Sequence, residues 1–218
     1  MKFNVSTSRI GFLLLTALLM FGFASILHAE DNKYALENLL QDRVLGDENA
    51  PVEIIEFSSL SCPHCKSFHE NAYKDIYEQY IKPGKVKLRF SDFPLNRAAL
   101  NASMVARCVP EPVYFQFVEF LFETQQRWAF SEDPMPYLRQ NSKLLGLNDD
   151  AFETCFNQEG YADAVIEAVR SKSQEYQIGS TPTFVFVESG AKISGAQSFA
   201  NFKKVIDEHL SRFSLNEE

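Results

Sequence analysis

The sequence predicts an α/β fold, a mixed central sheet flanked by helices, interrupted by an inserted all-α helical domain. Three observations carry this expectation. A β-branched run at 52–57, a helical pattern over 62–80 and an alternating run at 86–90 follow one another within about 40 residues. Strand, helix and strand at that spacing form a βαβ unit with parallel strands and a right-handed crossover. From 96 to about 177 nearly every segment reads as helix. Two short strands and a last amphipathic helix then return the chain to the sheet.

Along the chain, Lys2 and Arg9 precede an apolar run over 10–27 followed by Leu27-His28-Ala29, so residues 1–29 read as a signal peptide cleaved after Ala29. The same run approaches the roughly 18 apolar residues of a membrane span, which leaves an uncleaved anchor as the alternative. Gly11, Thr16, Gly22 and Ser25 dilute it and favour cleavage. Residues 30–95 are then expected to form the first part of the α/β domain, 96–177 the helical insertion and 178–218 the second part.

Within the first part, 30–41 has a weak helical pattern, and Asp47-Glu48-Asn49-Ala50-Pro51 is a turn cluster. Val52-Glu53-Ile54-Ile55-Glu56-Phe57 suits a buried strand. Phe68, Ala72, Ile76 and Tyr80 lie four apart and define the apolar face of one helix, which Pro83-Gly84 ends. Segments 97–108, 113–124, 136–145, 150–156 and 161–176 are the helices of the insertion; 183–187 and 191–193 are strands, and 199–213 is the closing helix.

Composition bounds the chemistry. Of 218 residues, 45% are apolar and twenty are phenylalanine, enough for a large core and against disorder. The formal charge is −8. Loss of residues 1–29 removes two basic and no acidic residues, leaving 19 against 29 and a charge of −10. Such a chain is repelled by nucleic acid and by anionic lipid, so neither is an expected partner. All four cysteines follow the signal, and export places them where disulfides persist.

Cys62-Pro63-His64-Cys65 carries the chemistry. Two cysteines at the first turn of a helix sit beside unpaired backbone N–H groups and the positive end of the helix dipole, which stabilise a thiolate. Pro63 fits the first turn because its missing N–H has no intrahelical partner there. His64 adds a charge or a donor. Cys62, on the outer side of the turn, is the nucleophile, and Cys65, one turn inward, the resolving thiol. A free thiol of pKa about 8.5 is only a few per cent ionised at neutral pH, whereas such motifs reach about 3.5–7.5. An inert structural disulfide is an alternative, as is half a zinc site completed by His64, His69 or the other cysteines. His69 reads otherwise as a helix-surface histidine.

These residues resemble the DsbA branch of the thioredoxin-fold family. The similarity runs through the stretches around 47–57, Cys62-Pro63-His64-Cys65-Lys66-Ser67-Phe68-His69, Phe90-Ser91-Asp92-Phe93-Pro94-Leu95, Gly179-Ser180-Thr181-Pro182-Thr183-Phe184 and Ile193-Ser194-Gly195-Ala196-Gln197. It covers roughly 39–210. It implies a thioredoxin-like fold and a thiol:disulfide oxidoreductase that introduces disulfides into exported proteins in the periplasm. It also implies that Thr181-Pro182 is a cis step against the active-site pair, where Thr181 meets substrate, and that Glu56 is a buried acid supporting Cys65. From the residues alone, a trans proline is the default. The resemblance further implies a quinone-linked membrane oxidant of the DsbB type, unfolded or folding proteins with reduced cysteines as substrates, a monomer, and no cofactor or metal. Thr181 departs from the valine of the most oxidising members, so a disulfide reductase or isomerase is the alternative. A redox-inert peptide-binding holdase is an alternative of another class.

Cys108 shares a helical stripe with Leu100, Met104 and Val105, and Cys155 lies beside Phe152 and Phe156. Oxidising conditions favour a structural Cys108–Cys155 bridge over two buried free thiols.

Overall fold

A computed structural model describes residues 33–216. The proposed signal, 1–29, lies outside the described residues. Of the described residues, 33–39 fall in a unit of their own and hold the one-turn helix α1 (Leu36–Leu39). The main unit begins at Leu40.

Its sheet has five strands in the order β1 (Arg43–Leu45), β3 (Val86–Asp92), β2 (Val52–Ser58), β4 (Thr183–Phe186) and β5 (Lys192–Ser194). β2 and β3 are parallel, as the βαβ pattern demands, and the other three pairings are antiparallel. All seven residues of β2 are buried. That burial reflects β2's central place, since a strand covered on both faces reads as a near-continuous apolar run. β1 was not predicted; three residues with one apolar end give no usable period.

Alternation along β2 assigns Val52, Ile54, Glu56 and Ser58 to one face and Glu53, Ile55 and Phe57 to the other. The first face packs under α2 (Pro63–Glu70) and α3 (Ala72–Ile76) and under the last helix, α10 (Phe199–Asn216), with Phe68, Ile76, Phe184, Phe202 and Ile206 in one core. The second face is closed by Ile178 and Val185, with Phe93 and Tyr176 against them. Phe68, Ala72, Ile76 and Tyr80 are all buried, in line with their predicted common face.

The helix expected over 62–80 is not continuous. It breaks at Asn71, whose backbone lies at φ −119° and ψ −90°, and after Ile76 it widens into a π-helical turn over Tyr77–Ile81. Asn71 spends its side-chain amide on the Ser67 carbonyl at 2.7 Å, a local bond that competes with helical continuation.

Between β3 and β4 the chain is helical: α4 (Arg97–Cys108), a 3₁₀ turn (Glu111–Val113), α5 (Tyr114–Glu123), α6 (Gln125–Trp128), α7 (Met135–Leu144), α8 (Asp149–Phe156) and α9 (Tyr161–Glu175). The Asn96 and Asn148 side chains cap α4 and α8 by accepting from Ala99 and Ala151 N–H, each at 2.9 Å. α6 escaped prediction because its four residues cover one turn. Cys108 on α4 and Cys155 on α8 are joined as a disulfide, with Cα atoms 5.9 Å apart. Polar ties fix these helices to the sheet. Arg107 donates to Asp92 at the end of β3 at 2.7 Å, both buried, and Lys172 of α9 pairs with Asp42. Among the described residues no helix is long and apolar enough to cross a membrane.

The Cys108–Cys155 bridge closes a loop with a sequence separation of 47. Chain-entropy arithmetic then gives a stabilisation of at most about 4 kcal/mol. A Cys108→Ala/Cys155→Ala variant is expected to lose about 2–4 kcal/mol in urea unfolding; an unchanged midpoint would show that the loop is already ordered without it.

Candidate functional site

The end of β2 runs through Ser59-Leu60-Ser61 into α2, and Cys62 is the residue at that junction. Its backbone is extended, at φ −82° and ψ 122°, Pro63 occupies the first turn, and the Cys62 carbonyl opens the helix by accepting from Lys66 N–H at 3.1 Å. Behind it, Cys62 N–H donates to the Ser59 carbonyl at 2.9 Å. The sulfur is thus carried to the helix end by a turn pinned on both sides.

The two sulfurs differ sharply in surroundings. Both cysteines are free thiols; Cys62 keeps 5% of its surface exposed and Cys65 none. The Cys65 thiol beside Cys62 holds its pKa down, to about 5, and outweighs the cost of partial burial; the Thr181 side chain and the backbone N–H groups of Cys65 and His64 add to this. Burial pushes the Cys65 thiol far up, and Cys62 adds to that, against smaller opposing contributions from Ser58 and Ser59. One sulfur is therefore ready as a thiolate while the other is kept as a proton-bearing reserve.

Facing this pair is the turn into β4. The Thr181–Pro182 peptide is cis. The Thr181 carbonyl lies 3.7 Å from Cys62 Sγ, which as a thiol donates to it. Pro182 is buried, and its carbonyl accepts from Gly195 N–H at 2.8 Å, tying the turn to the start of the loop before α10. Pro63 and His64 are exposed at the rim, and His64 reaches Cys62 through its backbone N–H.

Glu56 is fully buried on the β2 face beneath α2. Its Oε1 meets His69 Nε2 at 2.9 Å, and His69 Nδ1 meets Glu119 Oε1 of α5 at 2.6 Å. The expectation that His69 sits on the helix surface is overturned: it is 3% exposed, one turn below Cys65 on the same side of α2, and stacked on Phe122 with ring centroids 4.2 Å apart. Burial alone disfavours the imidazolium, but the two carboxylates win and lift His69 to about 10. Sequence reading had one available signal for this. Glu119 is flanked by Val118 and Phe120 in the aromatic run 114–122, and a charge set among apolar neighbours calls for a partner.

Gln125, also unforeseen, is fully buried on α6 and donates through Nε2 to the Leu60 carbonyl at 2.8 Å and the Cys62 carbonyl at 3.0 Å. No spacing in the sequence marks it. Its role exists only once α6 is folded against the active-site turn.

Comparison with known proteins agrees with this geometry. A family model described as thioredoxin matches residues 38–208. Disulfide bond formation protein D of Bacillus subtilis is 27% identical over 176 residues, covering 77% of this chain and 76% of that protein. A Rickettsia prowazekii protein named for protein-disulfide oxidoreductase activity is 25% identical over 78% of this chain, but the match spans only 61% of that protein's length. Among solved structures, alpha-DsbA1 of Wolbachia pipientis superposes with a TM-score of 0.74 at 29% identity, covering 82% of this chain and 95% of that one. BdbD of Bacillus subtilis gives 0.70 at 23% identity, covering 78% and 93%, a likeness of fold.

The Glu56–His69–Glu119 chain generates a pH-dependent prediction. His69 is raised from 6.5 to about 10 on folding. A group raised on folding contributes its full stabilisation below the unfolded pKa and loses it as pH climbs through the folded one. His69→Leu, which strands Glu56, is expected to cost about 3–5 kcal/mol near pH 6. The gap to the parent should shrink between about pH 6.5 and 10 in urea unfolding; a gap constant with pH would show that His69 is uncharged in the fold. With its cysteine pair at the start of α2 and the cis Thr181–Pro182 turn opposite, the chain belongs to the thioredoxin family and is a DsbA-like member of that fold.

Proposed function

We propose that the protein is an exported thiol:disulfide oxidoreductase acting mainly as a dithiol oxidase on folding proteins. The observation that carries this is the opposed environment of the two thiols, Cys62 held down and Cys65 pushed up. Stabilising the Cys62 thiolate stabilises the reduced form, so the Cys62–Cys65 disulfide becomes the stronger oxidant.

In the forward step a substrate thiolate attacks Cys62 Sγ, a substrate–Cys62 bond forms, and the Cys62–Cys65 bond breaks. Cys65 leaves and takes up a proton, because its burial makes a thiolate there costly. A second substrate thiolate then attacks the substrate sulfur of the mixed disulfide and expels Cys62 as its stabilised thiolate. Two electrons have passed from the substrate dithiol to the cysteine pair. Glu56 is assigned as the acid that exchanges the Cys65 proton, supported by its place under α2 and by its contact with His69, four residues beyond Cys65. Thr181 is assigned to pairing with the substrate backbone beside Cys62, and Pro182 to shaping that turn.

Export to the periplasm is supported by the signal-like residues 1–29 and by the Cys108–Cys155 bridge. Reset requires an external disulfide or quinone-linked membrane oxidant of the DsbB type, and the protein is proposed to act as a monomer. The test is oxidative refolding of a reduced secretory protein by the oxidised enzyme, set against insulin reduction with glutathione. Refolding should dominate and fall to background in both Cys62→Ala and Cys65→Ala, since neither variant can carry the Cys62–Cys65 disulfide that takes up the substrate's two electrons. Activity retained in Cys62→Ala would defeat the redox reading, and dominant insulin reduction would reverse its direction.

A further inference from the structure

We propose that Gln125 is a positioning residue for the nucleophile, holding the active-site turn from the helical segment so that Cys62 stays at the N-terminus of α2. This rests on the reading of Cys62 as the sulfur that exchanges with substrate. Gln125 lies on α6, more than sixty residues away in the chain, and is completely buried. Its partners are the carbonyls of Leu60 and Cys62, at 2.8 and 3.0 Å. Carbonyls only accept, so only the NH₂ end of the amide can face them.

The Leu60 carbonyl belongs to the Leu60–Ser61 peptide unit and the Cys62 carbonyl to the Cys62–Pro63 unit, so one planar amide holds the turn leading into Cys62 and the unit that follows it. The Cys62 carbonyl already accepts from Lys66 N–H, and Gln125 supplies its second donor from outside the helix. That choice of donor has a consequence for the sulfur. The Cys62 thiolate is stabilised by Cys65 and by backbone N–H groups of the first turn, contacts that depend on where the Cys62 peptide plane points. The amide's other end, Oε1, is buried with no hydrogen-bond partner among the described residues, a penalty that a purely space-filling side chain would avoid.

Gln125→Met keeps the length and removes the donors. In the reduced protein, absorbance at 240 nm against pH reads the Cys62 thiolate in the acid range, because Cys65 stays protonated there. The parent should titrate near 5. The variant, with unchanged far-ultraviolet circular dichroism, is expected to titrate about one unit higher, which is about a tenfold lower thiolate-to-thiol ratio at a given pH. Its alkylation rate near the midpoint should fall in parallel. An unmoved or lowered midpoint in the folded variant overturns the proposal while leaving Cys62 as nucleophile. A parent with no thiol titrating below about 7 would overturn both readings. Should Gln125→Met fail to fold, the side-chain amide protons of Gln125 in the parent are followed by NMR: a shift with the Cys62 midpoint is expected, and indifference to it overturns the proposal.

Discussion

Everything in this molecule turns on keeping one sulfur at a helix end while its partner, three residues on, is sealed from water. A single helical turn separates Cys62 from Cys65, yet one retains a sliver of exposed surface and the other none. The difference comes from the direction of α2. Its first turn emerges from the central strand β2 at the sheet edge of the core, and its next turn already lies over Phe184 and Phe202. An isolated Cys-x-x-Cys helix in water would treat the two thiols nearly alike; the fold makes them chemically distinct.

The helical segment between β3 and β4 takes part in that arrangement. Asp92 with Arg107, Glu119 with His69, and Gln125 with the Leu60 and Cys62 carbonyls tie these helices to β3, to α2 and to the active-site turn. Buried charge and amide groups of this kind are costly unless satisfied, so each admits few alternative arrangements. The helices making these contacts or the disulfide also supply apolar side chains: Met104 and Val105 are buried on α4, Phe117 and Phe122 on α5, Trp128 on α6 and Phe152 on α8. Apolar packing brings the layers together, and the polar ties set their registration against Cys62.

Much of this was readable from the chain because it is local. The βαβ unit, the buried face of Phe68, Ala72, Ile76 and Tyr80, and the placement of Cys62 at a helix start follow from period and from turn residues. What escaped was set by partners distant in sequence. His69 looks like a surface residue until Glu56 and Glu119 arrive from two other elements, and Gln125 has no meaning apart from two carbonyls more than sixty residues earlier. The cis form of Thr181–Pro182 likewise follows from resemblance and not from the residues themselves, for which trans is the default. The break at Asn71 sits between these cases, since its side-chain bond to Ser67 is local but the neighbouring apolar spacing masks it.

The central claim is that the environment of Cys62 and Cys65 makes the reduced pair the favoured form. Its most direct test is the equilibrium of the pair with glutathione, read by trapping and separating the oxidised and reduced protein across a range of redox buffers. A potential well above thioredoxin's roughly −270 mV, toward the roughly −120 mV of a strong oxidant, is the predicted result. A value at or below about −270 mV would contradict the account.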